Sequence, residues 1–373
     1  MWNKYIQPCV LVSVICFNSL PLFIFNRSRF KCVSIGFYLK VLCCQNLLFI
    51  FVVYFPSWIA MTSQLNDIEN FTDWGCCLYK FISSVFQYTG PWIVVAMAVD
   101  RYIAIWHPVS APDRTTVFMA KIAIAIIYVA MVWLSVHELW FSRLDNGKCS
   151  TDISLVEVRV WAFFTGFVNG SLPLLVLFLF SGLIIVGLIV KGTVPSSTSG
   201  RPSADLTHSV LALAVLYVVL LVPVTVMLYM YSFYVYMVVT RDHTLIQKYS
   251  FLVHVMDKIS LGIQFLPFFV LLINSHSFRE ECKEILLHIR GVLCGRRSND
   301  SHVKLLRRNS TCVVELDNGR EFATAVVWYI KKNSICRFIS LFRTHVLKFS
   351  AYSISLFLFY WKTILVAISC SDF

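Results

Sequence analysis

The sequence predicts an all-α protein: a seven-transmembrane helix bundle followed by an amphipathic helix on the membrane surface. Hydrophobic residues make up 58% of the chain and charged residues only 14%, whereas soluble domains carry roughly a quarter charged residues. The mean hydropathy is +0.72. Apolar segments long enough to cross a bilayer as a helix, for which about 20 residues suffice, recur at about residues 5–25, 35–60, 76–108, 122–140, 160–190, 206–233 and 249–274.

The loops around the first two segments indicate their orientation. After the first segment the chain carries only bases, namely Arg27, Arg29 and Lys31. After the second it carries only acids before Lys80, namely Asp67, Glu69 and Asp73. Because Lys and Arg collect in short cytoplasmic loops, we expect the N-terminus outside the cell and the first loop inside.

The third segment ends with a pair of oppositely charged residues. After an apolar run the chain reads Asp100-Arg101-Tyr102-Ile103-Ala104-Ile105-Trp106-His107-Pro108. Charges cost several kcal/mol at the centre of a bilayer, so this pair marks the edge of the membrane, a functional site, or both.

The remaining segments alternate with polar loops. The loop at 141–159 contains Cys149, and the loop at 191–205 is rich in Ser, Thr, Pro and Gly, which is typical of a flexible cytoplasmic loop. The fifth, sixth and seventh segments contain Pro173, Pro223 and Pro267. A proline inside a span removes a backbone hydrogen bond and kinks the helix.

After the seventh segment, residues 277–294 place apolar side chains at spacings of three and four, which predicts an amphipathic helix on the inner leaflet. We assign residues 1–294 to one domain and 295–373 to a cytoplasmic tail. Within the tail, residues 351–370 are apolar but contain Lys362. This segment is either an eighth span, which would put the C-terminus outside, or a segment foreign to the native protein, the reading that we favour.

The run from Asp100 to Pro108, with a full span before it, resembles the third-helix signature of rhodopsin-like (class A) G-protein-coupled receptors, including invertebrate neuropeptide receptors of the FMRFamide type. The resemblance covers about Tyr5 to Leu293. It implies that Asp100, Arg101 and Tyr102 couple to a heterotrimeric G protein. It also implies an activation switch that includes Pro173, Tyr217, Pro223 and Pro267.

The resemblance further implies a disulfide between Cys76, at the outer start of the third helix, and Cys149 in the second outer loop. Cys77 is a rival partner because it is adjacent. Cys76 is favoured because the family places this cysteine 25 residues before the arginine, which matches Arg101. Both cysteines lie on the predicted oxidising face, where disulfides persist.

Several residues depart from the family pattern. Leu221 replaces the aromatic switch of helix six, Ser181 the tyrosine of helix five and Leu266 the asparagine before the seventh-helix proline. Asn46 stands where the family usually has a sodium-binding aspartate. Ser203 matches an acid that holds the arginine in many members, with Asp205 close by. A non-signalling or scaffolding receptor-like protein is therefore the alternative function.

Two absences narrow the class of ligand. Ser83 replaces the aspartate with which amine receptors bind an ammonium group, and Ser260 replaces the lysine to which opsins attach retinal. We assign Ser83 and Gln87 to the ligand pocket. The outer loops carry acids that would attract a basic peptide, although the same acids equally suit an ordinary solvated loop surface.

Three kinds of modification are predicted. Asn70-Phe71-Thr72 is a glycosylation sequon in an outer loop. Cys282 and Cys294 are candidates for palmitoylation, and Ser310, after Arg307-Arg308, resembles a site for a basophilic kinase.

The sequence offers no metal site, nucleotide-binding loop or catalytic constellation, so we expect neither a cofactor nor enzymatic activity. The net charge of +12 does not indicate nucleic acid, because basic residues cluster in the short segments between spans and the predicted cytoplasmic tail is also basic. A transporter is disfavoured because no pair of broken half-helices repeats between the halves. The expected partners are the plasma-membrane bilayer, an extracellular peptide and a heterotrimeric G protein.

Overall fold

The computed structural model describes residues 7–27, 30, 33–56, 58–59, 72–109, 111–145, 148–151, 156–191, 202–232 and 262–293. Contacts between Cα atoms divide the chain into two units, residues 1–282 and 283–373. The bundle described below belongs to the first unit. The predicted tail at 295–373 lies outside the described residues.

The described residues are almost entirely helical. The helices are α1 (Gln7–Phe25), α2 (Ser34–Phe49), α3 (Asp73–Trp106), α4 (Ala111–Arg114), α5 (Val117–Ser135), α6 (Glu138–Phe141), α7 (Val156–Gly166), α8 (Leu172–Lys191), α9 (Pro202–Ser232), α10 (Leu266–Asn274) and α11 (His276–Leu293). Two π-helical turns extend α2 and join α7 to α8; they are Ile50–Tyr54 and Phe167–Ser171. Between α6 and α7, strands β1 (Ser142–Asp145) and β2 (Lys148–Thr151) form an antiparallel hairpin.

Six helices in the described part of the chain are long and apolar enough to cross a membrane, and they confirm the first six predicted spans. They are Gln7–Phe25, Ser34–Tyr54, Asp73–Trp106, Val117–Phe141, Val156–Val190 and Leu206–Val226. The seventh predicted span, 249–274, is described only from residue 262 onward. Its last turns form α10, and residues 249–261 lie outside the described residues.

Two helices begin earlier than hydropathy predicts because a threonine caps each of them. Thr116 Oγ1 accepts a hydrogen bond from the Met119 backbone N–H at 3.2 Å, so α5 begins at Val117 instead of 122. Thr72 Oγ1 likewise accepts from Gly75 N–H at 3.0 Å at the start of α3. A side-chain oxygen at this position satisfies an otherwise unpaired amide of the first turn. Hydropathy marks the start of the apolar segment, whereas the cap marks the start of the helix.

Several prolines lie inside the helices, and one of them follows a π-helical turn. The π-helical turn Phe167–Ser171 lies directly before Pro173, which cannot donate to the carbonyl four residues earlier. Pro91 lies in the middle of α3, a feature that the sequence analysis did not single out. In α9, Pro223 lies inside a continuous helix, and Pro267 lies in the first turn of α10, where a proline is well tolerated.

Helix α3 is the central element. It contacts α2, α5, α8, α9 and β1, and its middle is fully buried at Ile93, Val94, Met97 and Ala98. By contrast, α5 and α8 expose large apolar side chains such as Phe118, Trp133 and Phe178, as expected for surfaces that face lipid. Because neighbours hold α3 along its length, the residues at its two ends have fixed surroundings.

Candidate functional site

We call the C-terminal end of α3 its inner end and the N-terminal end its outer end, after the predicted orientation in the membrane. The inner end holds a buried ion pair. Arg101 is 5% exposed and Asp100 7% exposed. The Arg101 Nε donates to Asp100 Oδ2 at 3.1 Å, and Nη2 donates to the same oxygen. Consecutive residues of a helix do not normally face each other, so the arginine side chain folds back along the helix to reach its neighbour. A buried charge pair of this kind remains stable only if its other hydrogen-bonding groups are also satisfied.

Ser34, the first residue of α2, completes this site. Its hydroxyl donates to Asp100 Oδ2 at 3.0 Å and accepts from Arg101 Nη2 at 3.3 Å, and the residue is 2% exposed. We call Ser34, Asp100 and Arg101 the arginine cage. Sequence reasoning missed Ser34 because it lies 66 positions away from Asp100 and carries no motif. The side chains of residues 202–205, which include Ser203 and Asp205, lie outside the described part.

Tyr102 faces another helix. Its ring meets the ring of Phe180 on α8 edge-on, with centroids 5.2 Å apart, and the His107 ring edge-on at 6.2 Å. Such aromatic contacts contribute roughly 0.5–1.5 kcal/mol beyond their buried area. The Asp-Arg-Tyr motif therefore contacts α2 through the first two residues and α8 through the third.

The outer end of α3 carries a covalent link. The expected Cys76–Cys149 disulfide is present, with Cα atoms 5.4 Å apart. It joins the outer start of α3 to β2. Cys77, the rival partner, is a free buried thiol that donates to the Ser142 carbonyl oxygen of β1 at 3.0 Å. The two adjacent cysteines thus hold the two strands of one hairpin, and only one of them does so covalently.

Further hydrogen bonds fasten the same hairpin. The backbone N–H of Leu144 donates to Asp73 Oδ1 at 3.2 Å, and Ser142 Oγ donates to Glu138 Oε2 at 2.9 Å. The sequence predicts a loop over this segment, whereas the structure has a hairpin. The dipeptide Asn146-Gly147, which lies between the two strands, was the sequence signal that could have predicted a hairpin.

Between the two ends of α3, neutral amides from three elements form a buried cluster. The Asn46 Nδ2 donates to Asn18 Oδ1 at 3.0 Å and to the Gln264 carbonyl at 3.4 Å. Asn18 Nδ2 donates to the Gln264 carbonyl at 3.2 Å. This cluster links α1, α2 and the residues just before α10. None of its side chains carries a formal charge.

The predicted switch residues lie on three different helices. Pro173 is buried near the start of α8, Pro223 is half-buried in α9, and Pro267 is buried at the start of α10. Tyr217 on α9 is 3% exposed. Within the described residues, no hydrogen bond or ring contact joins these four to one another.

The predicted pocket residues lie on the outer half of α3. Ser83 is half-buried, and among the described residues its hydroxyl oxygen is buried without a hydrogen-bond partner. Gln87 is exposed. The two are four positions apart and therefore share one face of the helix. Their part in ligand binding stays a prediction.

Of the predicted modification sites, only Cys282 is described. It is 7% exposed, and burial together with the neighbouring Glu281 raises the pKa of its thiol to about 12. Glu281 itself pairs with Arg27 at 3.2 Å. Acylation of Cys282 would therefore require this part of α11 to separate from the bundle. Asn70, Cys294 and Ser310 lie outside the described residues, and their modification stays a prediction.

Comparison with known proteins places this arrangement in context. The profile of the 7 transmembrane receptor (rhodopsin family) matches residues 17–287. Somatostatin receptor type 5 of Rattus norvegicus is 28% identical over 211 residues, which cover 54% of this chain and 56% of the relative. Cephalotocin receptor 1 of Octopus vulgaris is 24% identical over 54% of this chain and 51% of the relative. C-C chemokine receptor type 1 of Homo sapiens is 31% identical over a match that covers 39% of this chain and 43% of the relative. The chain thus spans about half the length of the curated relatives it matches.

Proposed function

Because the chain belongs to the rhodopsin family of seven-transmembrane receptors, we propose that it is a plasma-membrane receptor that activates a heterotrimeric G protein in response to an extracellular ligand. We propose that the receptor lies in the membrane with its N-terminus outside the cell, so that the arginine cage lies at the cytoplasmic end of α3. The observation that carries the proposal is the buried arginine cage itself. An arginine that only anchored a helix at the membrane surface would extend toward water, whereas Arg101 is 5% exposed.

The cage gives Arg101 two states. In the resting state Asp100 and Ser34 neutralise and hold the guanidinium. When α9 moves outward about Pro223, the permanently charged planar guanidinium becomes free to contact the C-terminal end of an inserted helix of the G protein. Free backbone carbonyls there carry the negative end of the helix dipole, which favours a cation. Ligand binding thereby changes the partner of one buried charge.

We further propose a peptide ligand. The matched relatives are named for somatostatin, cephalotocin and C-C chemokines, which are peptides or small proteins. Ser83 leaves the outer half of α3 without the carboxylate that amine ligands need. Exposed acids such as Asp73 and Glu157 flank the hairpin and would attract a basic peptide.

A non-signalling receptor-like protein is the second candidate. It is favoured by the altered switch positions, among them Ser181, whose buried hydroxyl has no partner within the described residues. Ser181 stands where the family has a tyrosine in helix five. The two candidates differ in one measurable property, nucleotide exchange on a G protein.

The decisive experiment compares GTPγS uptake by membranes that carry the parent or Arg101→Ala, with expression matched by surface labelling. The proposal expects uptake above that of mock membranes in the parent and its loss in Arg101→Ala. Arg114→Ala, which removes an exposed arginine from α4, is the matched control and should retain uptake. If Arg101→Ala and the parent take up GTPγS equally and both exceed mock membranes, the coupling role of Arg101 is wrong. If both equal mock membranes, the non-signalling candidate gains support. Once uptake in the parent exceeds that of mock membranes, screening the parent against neuropeptides would identify the ligand.

A further inference from the structure

The inner ends of α3 and α8 are joined by a hydrogen bond that no sequence motif indicates. The indole Nε1 of Trp106, in the last turn of α3, donates to the backbone carbonyl oxygen of Leu183 on α8 at 2.9 Å. Within α8 the same carbonyl can also accept the ordinary helical bond from the residue four positions later. The indole therefore adds an interhelical contact without breaking the helix.

The residue four positions after Leu183 is Gly187, and it allows the close approach. A Cβ atom at Gly187 would lie 2.7 Å from Ile105 Cγ2 and 2.9 Å from Trp106 Nε1, closer than real Cβ contacts. Gly182, one and a half turns earlier on the same helix, has nothing within 4 Å of a Cβ atom. The glycine at 187 is therefore needed for packing, whereas the glycine at 182 is not.

This contact resists separation of the two helices. If α8 moved away from α3, the N–H of the half-buried Trp106 would lose its acceptor, and a donor left without a partner costs free energy. The Tyr102–Phe180 ring contact, one turn along α3 from Trp106, would separate as well. The structure thus combines an engaged contact between α3 and α8 with a neutralised Arg101 five positions before Trp106.

We propose that Trp106 and Gly187 form a latch that holds the inner end of α8 against α3, and that the latch must open before the G protein can exchange nucleotide. The inference rests on the proposed function, because it assigns the latch to control of coupling. Trp106 is a positioning residue in this scheme, since it acts through the place of α8 beside Arg101 and not by touching the nucleotide. Closed, the latch favours the resting receptor.

The first experiment opens the latch. Trp106→Phe removes the N–H and keeps an aromatic ring, while Gly187→Ala inserts a methyl group where no space exists. Each should raise agonist-independent GTPγS uptake roughly 3-fold to 15-fold, the factor that corresponds to one interhelical hydrogen bond in a membrane. Gly182→Ala is the matched control and should behave like the parent. The double variant Trp106→Phe/Gly187→Ala should exceed neither single variant by much, because both act on one contact.

The second experiment closes the latch covalently. With a Gly187 Cβ only 2.7 Å from Ile105 Cγ2, the two Cβ atoms would lie within the reach of a disulfide, about 3.5–4.5 Å. Ile105→Cys/Gly187→Cys should therefore cross-link on mild oxidation, whereas Ile105→Cys/Gly182→Cys should not. Before oxidation Ile105→Cys/Gly187→Cys should show raised GTPγS uptake, as Gly187→Ala does, because a Cβ at position 187 would lie 2.9 Å from Trp106 Nε1. Cross-linking, read by mass spectrometry of peptides, ties α8 to α3 and should suppress that uptake, and reduction should restore it. The parent under the same oxidation and reduction controls for effects on the native cysteines.

Two results would overturn the latch. One is uptake in Trp106→Phe at or below the parent level at equal surface density, which decides the matter even if Gly187→Ala fails to reach the surface. The other is a cross-linked receptor that exchanges nucleotide as fast as its reduced form. Failure of the proposed function gives a different pattern: the cross-link forms at 105/187 and not at 105/182, but parent, Arg101→Ala and mock membranes show equal uptake. The coupling role of the latch would then fall with that function.

Discussion

The two ends of α3 are held in opposite ways. At the outer end, a disulfide and hydrogen bonds from Cys77 and Asp73 attach a β-hairpin to the first turns of the helix. At the inner end, Asp100 and Arg101 meet Ser34 through charge-assisted hydrogen bonds alone. The outer attachment cannot come apart without chemistry, whereas the inner one can exchange one partner for another. We infer that the outer end is a rigid frame for a ligand and the inner end a reversible switch.

The largest expected effect comes from removing the charge partner at the inner end. Asp100→Ala leaves a buried guanidinium without its counter-ion, which typically costs about 3–5 kcal/mol. We expect raised basal GTPγS uptake together with a lower unfolding temperature of the detergent-purified receptor. Asp100→Asn, which keeps an acceptor for Ser34, should show the same changes to a smaller extent. Basal uptake that stays at the parent level in both variants would show that Asp100 does not restrain Arg101.

Removing the covalent link at the outer end should act on folding and not on basal coupling. Cys149→Ser should cost about 2–5 kcal/mol, the usual effect of losing a native disulfide. Surface labelling should fall, while basal GTPγS uptake per surface receptor should remain near that of the parent. Cys77→Ser is the matched control, because a serine hydroxyl can still donate to the Ser142 carbonyl, and it should reach the surface normally. An equal loss in Cys77→Ser would argue that Cys77 competes for the bond.

A smaller effect should come from the third member of the arginine cage. Ser34→Ala deletes one hydrogen bond to Asp100 and one from Arg101, and a hydrogen bond to a charged group contributes about 1.5–3 kcal/mol. Because the Arg101–Asp100 ion pair itself remains, we expect the lower end of that range, so basal uptake should rise by roughly tenfold, less than in Asp100→Ala. Ser34→Thr keeps the hydroxyl and should behave like the parent. If Ser34→Ala and Ser34→Thr are indistinguishable in basal uptake, α2 has no part in holding the arginine.

The smallest effect is expected from sodium at the amide cluster, which lies midway between the two ends of α3. The amide cluster around Asn46 is neutral, so it offers a sodium ion too little negative charge to offset its dehydration. Raising sodium should leave agonist affinity unchanged relative to a matched potassium control, measured by radioligand displacement once a peptide agonist is known. A sodium effect that disappears in Asn46→Ala would contradict this expectation.

Much of the fold could be predicted from the sequence. Each span has to be apolar over its own length, so its existence can be read locally, and the first six spans agree with the helices of the described residues. The predicted positions of the helix starts were less accurate. Thr116 and Thr72 cap α5 and α3 through hydrogen bonds that a hydropathy pattern does not reveal. The hairpin was not predicted, because its two strands have only four residues each and Asn146-Gly147 is the only turn signal between them.

The residues of the functional site likewise fall into those that the sequence predicts and those that only the tertiary structure reveals. Asp100, Arg101 and Cys76 stand at fixed spacing in one motif, and Cys149 is the cysteine of the second outer loop, so the sequence by itself determined these residues and the fold class. Ser34, Trp106 and Gly187 have no motif, because their roles depend on a partner from another helix. A serine hydroxyl 3.0 Å from Asp100, or a glycine where another helix leaves no space for a methyl group, exists only once the helices pack. Tertiary structure alone decided which polar groups meet, since hydrogen bonding acts over a few ångströms in space and not along the chain.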